Sequence, residues 1–304
     1  MTLRKLSEMK RALTIRSRTL QVTRKFFCDR GFIEVETPVR IRAPALELHI
    51  DAEASGEEYL RTSPELHMKR MLAAGYDKIF QIGPCFRRNE RGRLHNPEFT
   101  MLEWYRVGAG YIDILADTKA LIAELVRDIH GGATIDYRGT KIDVMPVWDR
   151  LTVQEAFMLY AGWDPVKNFD DARFSLDLVE KVEPRFPVNR PMVLMDYPAK
   201  VAALARCKKD HPELAERWEL YIGGIEIANA FGELTDEAEQ RRRFKDCATQ
   251  RSNTGKEVYP LDEEFLAALM QGLPECSGVA LGIDRLIMLL ANCETVAAVR
   301  TFCD

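Results

Sequence analysis

Gly223-Gly224, set between the alternating runs RWELYI and IEIANAFGEL, commits this chain to antiparallel sheet. A two-residue turn of this kind fixes the register of its strands as well as their direction. It pairs Ile222 with Ile225, Tyr221 with Glu226 and Glu219 with Ala228. One face then carries Trp218, Leu220, Ile222, Ile225 and Ile227, all apolar, and has to look into a core. The other carries Glu219 and Glu226 as diagonal neighbours, about 7–8 Å apart at the backbone. Two carboxylates so close on a core sheet repel unless a proton or a cation lies between them. A hard divalent ion already bound to phosphates suits two such oxygen ligands, and Mg²⁺ is the usual choice. The plainer alternative is that one carboxylate turns to solvent and pairs with an arginine.

A second stretch, FRRNERGRLHNPEFTMLEWY from Phe86 to Tyr105, crowds arginines, glutamates and large aromatics together. Its flanks, KIFQIGPCF and FTMLEWYRV, read as strands, so the segment is a hairpin with arginines in its loop. Its return strand carries Phe99, Glu103 and Tyr105. Guanidinium forks suit phosphate oxygens, an aromatic face suits a base, and carboxylates suit an ammonium. The hairpin is thus a candidate nucleotide and amino-acid site, set against a merely solvated basic loop. In a third stretch, CSGVALGIDRLIML, a small-residue strand runs into Gly282 and a helix starting at Asp284-Arg285, where an arginine can meet an anionic ligand. Glu233, just past the Gly232 break, is either a buried carboxylate waiting for a cation such as a substrate ammonium, or an acid at the start of the next helix.

The remainder supplies a frame. Leu6, Leu13, Leu20 and Phe27 recur every seven residues with Met9 and Val22 beside them, an amphipathic helix ended by Gly31. In GFIEVETP, Ile33, Val35 and Thr37 alternate with Glu34 and Glu36 as a half-buried strand stopped by Pro38. Residues 39–61 read as loop and short strands. Ser63 caps a helix that has Pro64 at its first position, Glu65 in its first turn and its end near Gly75. A helix over 111–130, a hairpin turning at Arg138-Gly139, an irregular helical insertion over about 151–187 and a strand over 191–198 complete the pattern.

The formal charge of −4 is unevenly spread: nine Lys or Arg against two acids in the first thirty residues leave about −11 for the rest. That basic helix is a solvated face or a docking surface for an acidic partner. Seven scattered cysteines without a C-x-x-C pair suggest reduced thiols, no apolar run reaches membrane-spanning length, and no signal peptide is evident. A cytoplasmic protein without membrane contact is expected.

GFIEVETP, FRRN…HNPEFTMLEWY and GVALGIDR, in that order, resemble the three signature motifs of class II aminoacyl-tRNA synthetases. TSPEL and YIGGIEIANAFGEL place the resemblance on the lysine branch and extend it over essentially the whole chain. It implies an α+β fold, an antiparallel sheet flanked by helices, as a single catalytic domain over 1–304. It also implies a homodimer built on the first motif and amino-acid adenylation with bent ATP and Mg²⁺. About thirty residues precede the first motif and about nineteen follow Arg285, so no anticodon-binding domain is expected and tRNA is not the expected substrate. Ala280 stands where the lysyl enzymes have glycine, and Ser63 precedes Pro64 where bacterial ones resemble alanine-proline, which reshapes the amino-acid pocket. This combination resembles the elongation factor P–(R)-β-lysine ligases. It implies (R)-β-lysine as substrate and elongation factor P, an acidic protein shaped like tRNA, as acceptor.

Carried onto this sequence, the resemblance gives Arg87 and Arg285 the catalytic roles, on the substrate carboxylate and the phosphates. Phe99 would stack on adenine, Glu90, His95 and Asn96 would contact the nucleotide, and Glu219 and Glu226 would hold Mg²⁺. Glu65 would bind the near amine, and Glu103, Tyr105, Asn229 and Glu233 the far ammonium, with Ser63 and Ala280 lining the pocket. The family's arginine–any–glutamate run is altered here to Phe86-Arg87-Arg88-Asn89-Glu90. Strand alternation lets only one of Arg87 and Arg88 face the site; the distance back from HNPEF favours Arg87, and both remain open for the phosphate role. A lysine-activating enzyme acting on tRNA or on free lysine, or a non-catalytic synthetase-like subunit, are the competing functions.

Overall fold

In the computed structural model, which describes residues 2–145 and 147–303, the chain opens with helices α1 (Leu3–Glu8) and α2 (Lys10–Cys28). Short strands β1 (Ile33–Glu34), β2 (Arg40–Ile41), β3 (Glu53–Ser55) and β4 (Glu58–Leu60) lead to α3 (Glu65–Ala73). The long hairpin β5 (Lys78–Phe86) and β6 (Glu98–Val107) is followed by α4 (Tyr111–His130) and a second hairpin, β7 (Thr134–Tyr137) with β8 (Thr140–Asp143). Strand β9 (Asp149–Thr152), α5 (Val153–Tyr160) and α6 (Asp171–Asp177) precede β10 (Met192–Pro198), β11 (Leu214–Ile222) and β12 (Ile225–Gly232). Helices α7 (Glu237–Asn253) and α8 (Glu263–Gly272), strand β13 (Cys276–Gly282) and α9 (Ile283–Leu290) finish the set.

Eight strands form one sheet in the order β1-β5-β6-β13-β12-β11-β10-β9. Its six central strands are antiparallel, and both edge strands are parallel to their neighbours. This is the α+β architecture expected. Alternation makes the two faces unlike. Phe80, Leu102, Trp104, Val279, Leu281, Trp218, Leu220 and Ile222 point to one side, where they pack with Phe26, Phe27 and residues of α4 and α9 in the main core. On the other side α3 and α8 cover one end around Ile79, Tyr105 and Phe265, and α5 and α6 cover the other around Met192, Leu194 and Tyr221. The middle of that second face stays open, and the site lies there.

Three local expectations are corrected. The N-terminal helix breaks at Met9, and its buried face runs through Ala12, Thr19, Val22, Thr23, Phe26 and Phe27, while Leu6, Leu13 and Leu20 lie half-buried along its rim. The docking helices α4 and α9 meet the neighbouring face. Secondly, only Ile33 and Glu34 of GFIEVETP pair as strand, opposite Ile79 and Phe80; Ile33 is 52% exposed and Phe32 is buried. The ladder ends because the Thr37 N–H turns to the Gln81 side chain. Thirdly, Gly223 and Gly224 adopt positive φ (61° and 73°) and pair Ile222 with Ile225 and Tyr221 with Glu226, but Glu219 faces Asn229 and not Ala228. The register shifts between Leu220 and Tyr221, leaving Ile227 as an extra residue on β12. Such a bulge re-aims every side chain beyond it. Here it keeps Ala228 and Ala230 in the core and sends Asn229 and Phe231 to the open face with Glu219 and Glu226.

Candidate active site

The open face holds a cavity of about 1020 Å³. Ser63, Glu65, Arg87, Glu90, His95, Asn96, Phe99, Glu103, Tyr105, Glu219, Glu226, Asn229, Glu233, Ala280 and Arg285 all line it. Strand periodicity explains the convergence: Phe99, Glu103 and Tyr105 alternate with core residues on β6, and Gly278 and Ala280 do so on β13. Ala280 lies opposite both Glu103 and Asn229, forming the floor between them. Gly278 is required by close approach, since a methyl there would meet the Tyr105 ring and the Glu233 carboxylate.

Arg88 is the exception. Its N–H donates to the Asp51 carbonyl and its guanidinium lies 3.4 Å from Glu257, away from the cavity. The cause is Asn89, whose φ of 66° turns the chain so that the Glu90 N–H reaches back to the Arg87 carbonyl. Asparagine tolerates this conformation. The extra residue is thereby looped out, and Glu90 returns beside Arg87 (3.9 Å) although it stands one position late in sequence. Arg87, not Arg88, is the arginine in the pocket. Its guanidinium lies 5.1 Å from the Phe99 ring centre, and its buried Nε has no partner among the described residues.

Beyond Phe99 lies the arginine at the start of α9. Arg285 donates to the Leu94 carbonyl (3.1 Å), to the Glu226 carboxylate (2.9 Å) and carbonyl (3.0 Å), and lies 2.7 Å from His95 Nε2. Burial and the Arg285 charge lower the His95 pKa, so the neutral ring can accept that bond. The preceding Asp284 accepts the Thr100 N–H (2.8 Å) and pairs with Arg16 and Arg300, tying α9 to α2 and the hairpin. Glu219 accepts from Arg217 (2.6 Å) and from the Tyr221 hydroxyl (2.7 Å), which also lies 3.1 Å from Glu183. Burial, then the Glu219 charge, raises the Glu226 carboxyl. Each carboxylate thus meets an arginine and both line the cavity wall, Glu219 buried and Glu226 with 40% of its side chain exposed.

Among the described residues no three histidines, cysteines or carboxylates converge as a complete metal shell. Two hard oxygen donors fit an ion such as Mg²⁺ that takes its other ligands from water and phosphates. The partnerless Arg87 Nε and the arginine–aromatic pair at Phe99 fit a phosphate and a base beside them.

The opposite end is crowded with negative charge. Ser63 donates to Glu103 (2.8 Å) and accepts the Glu65 N–H (3.0 Å); the N-cap of α3 is Pro64, one residue later than expected. The Tyr105 hydroxyl donates to the other Glu103 oxygen (2.6 Å). Lys69, with no exposed side-chain surface, lies 2.6 Å from Glu65 and 2.5 Å from Glu233. Glu233 is therefore no helix-start acid; Asp236 caps α7, and the cation beside Glu233 is a lysine of the chain itself. Of the three buried carboxylates, Glu65 and Glu233 pair with Lys69, and Glu103 has no ion-pair partner among the described residues. Burial, then the Glu65 charge, pushes Glu103 up to about 7, and burial raises Glu233 to about 8 despite Lys69. Such an end is short of one positive charge and can accept an ammonium.

Lys69, Arg217 and Asp284 escaped the sequence reading. For Lys69 the signal was its position four residues after Glu65, which also marks any ordinary helix pair. The basic N-terminal helix changes meaning as well: Arg4, Arg16, Arg18, Arg24, Lys25 and Arg30 all pair with carboxylates of the chain. Most of its charge is spent internally. Among the described residues no helix is long and apolar enough to cross a membrane.

Residues 1–304 match the family of tRNA synthetases class II (D, K and N). The elongation factor P--(R)-beta-lysine ligase of Proteus mirabilis (strain HI4320) is 40% identical over 295 residues, covering 92% of this chain and 90% of that protein. Its namesake from Hamiltonella defensa subsp. Acyrthosiphon pisum (strain 5AT) is also 40% identical, over 94% and 93%. The lysine--tRNA ligase of Moorella thermoacetica (strain ATCC 39073 / JCM 9320) is 34% identical over 97% of this chain but 65% of that protein. The chain belongs to the class II tRNA synthetase family of the D, K and N group, among the lysyl-type paralogues that bear the elongation factor P–(R)-β-lysine ligase name.

Proposed function

We propose that this protein is an ATP-dependent, AMP-forming ligase that activates (R)-β-lysine and transfers it to a lysine side chain of elongation factor P. One observation carries the reading: a single cavity joins Arg87, Phe99 and Arg285 to an end where Glu65 and Glu233 pair with Lys69 and the buried Glu103 has no ion-pair partner among the described residues. A molecule with a carboxylate at one end and an ammonium at the other spans the two. The names of relatives similar over nine-tenths of their length support the acceptor.

Arg87 holds the substrate carboxylate against the α-phosphate, Phe99 and Arg285 hold the nucleotide, and a carboxylate oxygen attacks the α-phosphorus as pyrophosphate leaves. The work is positioning and charge neutralisation. Glu219 and Glu226 would hold Mg²⁺, which shields the phosphate oxygens. Glu103, with Ser63 and Tyr105 fixing its orientation, takes the far ammonium, and Glu65 the near one. The amine of the acceptor lysine then attacks the carbonyl, AMP departs, and an amide forms. Moving an amine by one carbon displaces its charge by about 1.5 Å. A site that hydrogen-bonds this charge discriminates strongly. Leu6, Leu13, Leu20 and the exposed Ile33 would supply the contact of a cytoplasmic homodimer. ATP–pyrophosphate exchange tests the first step: faster exchange with (R)-β-lysine than with α-lysine is expected, and the reverse order would favour a lysine-activating enzyme acting on tRNA.

A further inference from the structure

The wall of the cavity formed by residues 46–50 contributes a carboxylate for which the reaction scheme so far has no use. The backbone of this strap is fastened from outside. Arg251, itself fully buried, donates to the carbonyls of Glu47 (2.7 Å) and Ile50 (3.0 Å) and to the Asp51 carboxylate (2.7 Å). Lys256 donates to the Leu48 carbonyl (2.8 Å), and the Ala52 N–H donates to the Tyr259 hydroxyl (2.8 Å). With its main-chain groups held toward the end of α7, the strap delivers the Glu47 side chain into the cavity. There the carboxyl makes no hydrogen bond or ion pair among the described residues, although the residue as a whole is only half-buried. The charges it senses are Glu65 and Glu90 on one hand, Arg87 and Arg217 on the other. Arg217 is already engaged by Glu219 and the Val201 carbonyl. Arg87 is the group the substrate carboxylate takes. What Glu47 lacks is a cation close to Arg87.

We infer that Glu47 is a substrate-binding residue whose carboxylate receives the amine nearest the reacting carboxylate, opposite Glu65, and so sets the preference between α- and β-amino substrates. The assignment rests on the proposed activation of a diamino acid. Glu65 already shares its charge with Lys69, so an ammonium beside Arg87 gains a second, uncommitted acceptor in Glu47. The pocket then reads its substrate at three points: the carboxylate at Arg87, the near amine between Glu47 and Glu65, and the far amine at Glu103. An amine displaced along the chain changes its distance to Glu47 while the other two points stay fixed.

The test compares Glu47→Gln and Glu47→Asp with the parent enzyme in ATP–pyrophosphate exchange, using (R)-β-lysine, α-lysine and, as competitive inhibitor, 6-aminohexanoate, which lacks the near amine. Losing a charge-assisted hydrogen bond predicts that Glu47→Gln raises KM for (R)-β-lysine about 10- to 100-fold, with kcat within a few-fold. The inhibition constant of 6-aminohexanoate should stay within twofold, the β-over-α preference should shrink, and Glu47→Asp should recover part of the loss. Parallel weakening of 6-aminohexanoate and (R)-β-lysine would overturn the assignment, because it would mean the strap acts only by shape. So would a KM for (R)-β-lysine within threefold of the parent. If the parent exchanges with neither lysine isomer, the activation reading itself fails and takes the assignment with it.

Discussion

Replacing Lys69 by methionine keeps much of the side chain's bulk and removes the cation that lies between Glu65 and Glu233. Breaking a buried pair by deleting one partner typically costs about 3–5 kcal/mol, since the other charge stays buried without compensation. Two carboxylates are stranded here, and Glu233, already held high by burial, can escape by binding a proton. At the usual entropy of about 2.1 cal/mol/K per residue, that loss lowers the Tm of a chain this size by roughly 5–8 °C. The effect must depend on pH in a definite direction. A carboxyl held above its ordinary value binds more protons folded than unfolded, so stability falls as pH rises between the two values. For Glu233 that window runs from 4.5 to about 8 already in the parent, and removing Lys69 extends it upward. Thermal unfolding of Lys69→Met should therefore show a larger deficit at pH 8 than at pH 6. Adding Glu233→Gln to Lys69→Met should recover about 1 kcal/mol or more, because contacting charges couple. A Tm deficit below 2 °C at pH 8, or one that grows toward pH 6, would refute the role given to Lys69.

Further consequences follow from the same cavity. Arg87→Ala should lower kcat/KM for exchange by two orders of magnitude or more, on the order of one lost charged contact to the transition state, whereas Arg88→Ala should stay within about threefold, as a half-exposed arginine paired outside the cavity. Gly278→Ala should raise KM for the amino acid with little change for ATP, because the new methyl displaces Tyr105 from Glu103; equal effects on both would deny that Gly278 serves the ammonium end. KM for the amino acid should fall as pH rises through about 7, where Glu103 loses its proton and becomes able to take an ammonium. A KM flat over pH 6–8 would contradict that account of Glu103.

Much of this was legible in the residues because strand alternation is a strict code. The Gly223-Gly224 turn and the two runs around it specify which face of β11 and β12 meets the core, and Glu219 and Glu226 follow from that. The hairpin from Phe86 to Tyr105 likewise announces Phe99, Glu103 and Tyr105 as one row. What alternation cannot foresee is an irregularity within it. The bulge at Ile227 has no distinctive residue, yet without it Asn229 and Phe231 would point into the core. The spacing back from HNPEF favours Arg87 over Arg88 but does not decide between them, for the same reason: the outcome depends on a single positive φ at Asn89. Lys69 and Arg217 stayed hidden because a charge that neutralises another buried charge looks, in sequence, like any surface ion pair. The stripe of Leu6, Leu13 and Leu20 across α1 and α2 misled by being genuine: these leucines are apolar and periodic, but lie on the rim while threonines and phenylalanines, Phe27 among them, pack inward.

The central claim is that the amino acid activated here is handed to a protein lysine. Its most direct test is a transfer assay with radiolabelled (R)-β-lysine and ATP, offering elongation factor P and bulk tRNA separately and together, and following label into protein and into nucleic acid. The account predicts stoichiometric, ATP-dependent label on a single lysine of elongation factor P and none on tRNA. Label that accumulates on tRNA while elongation factor P stays unmodified would contradict it.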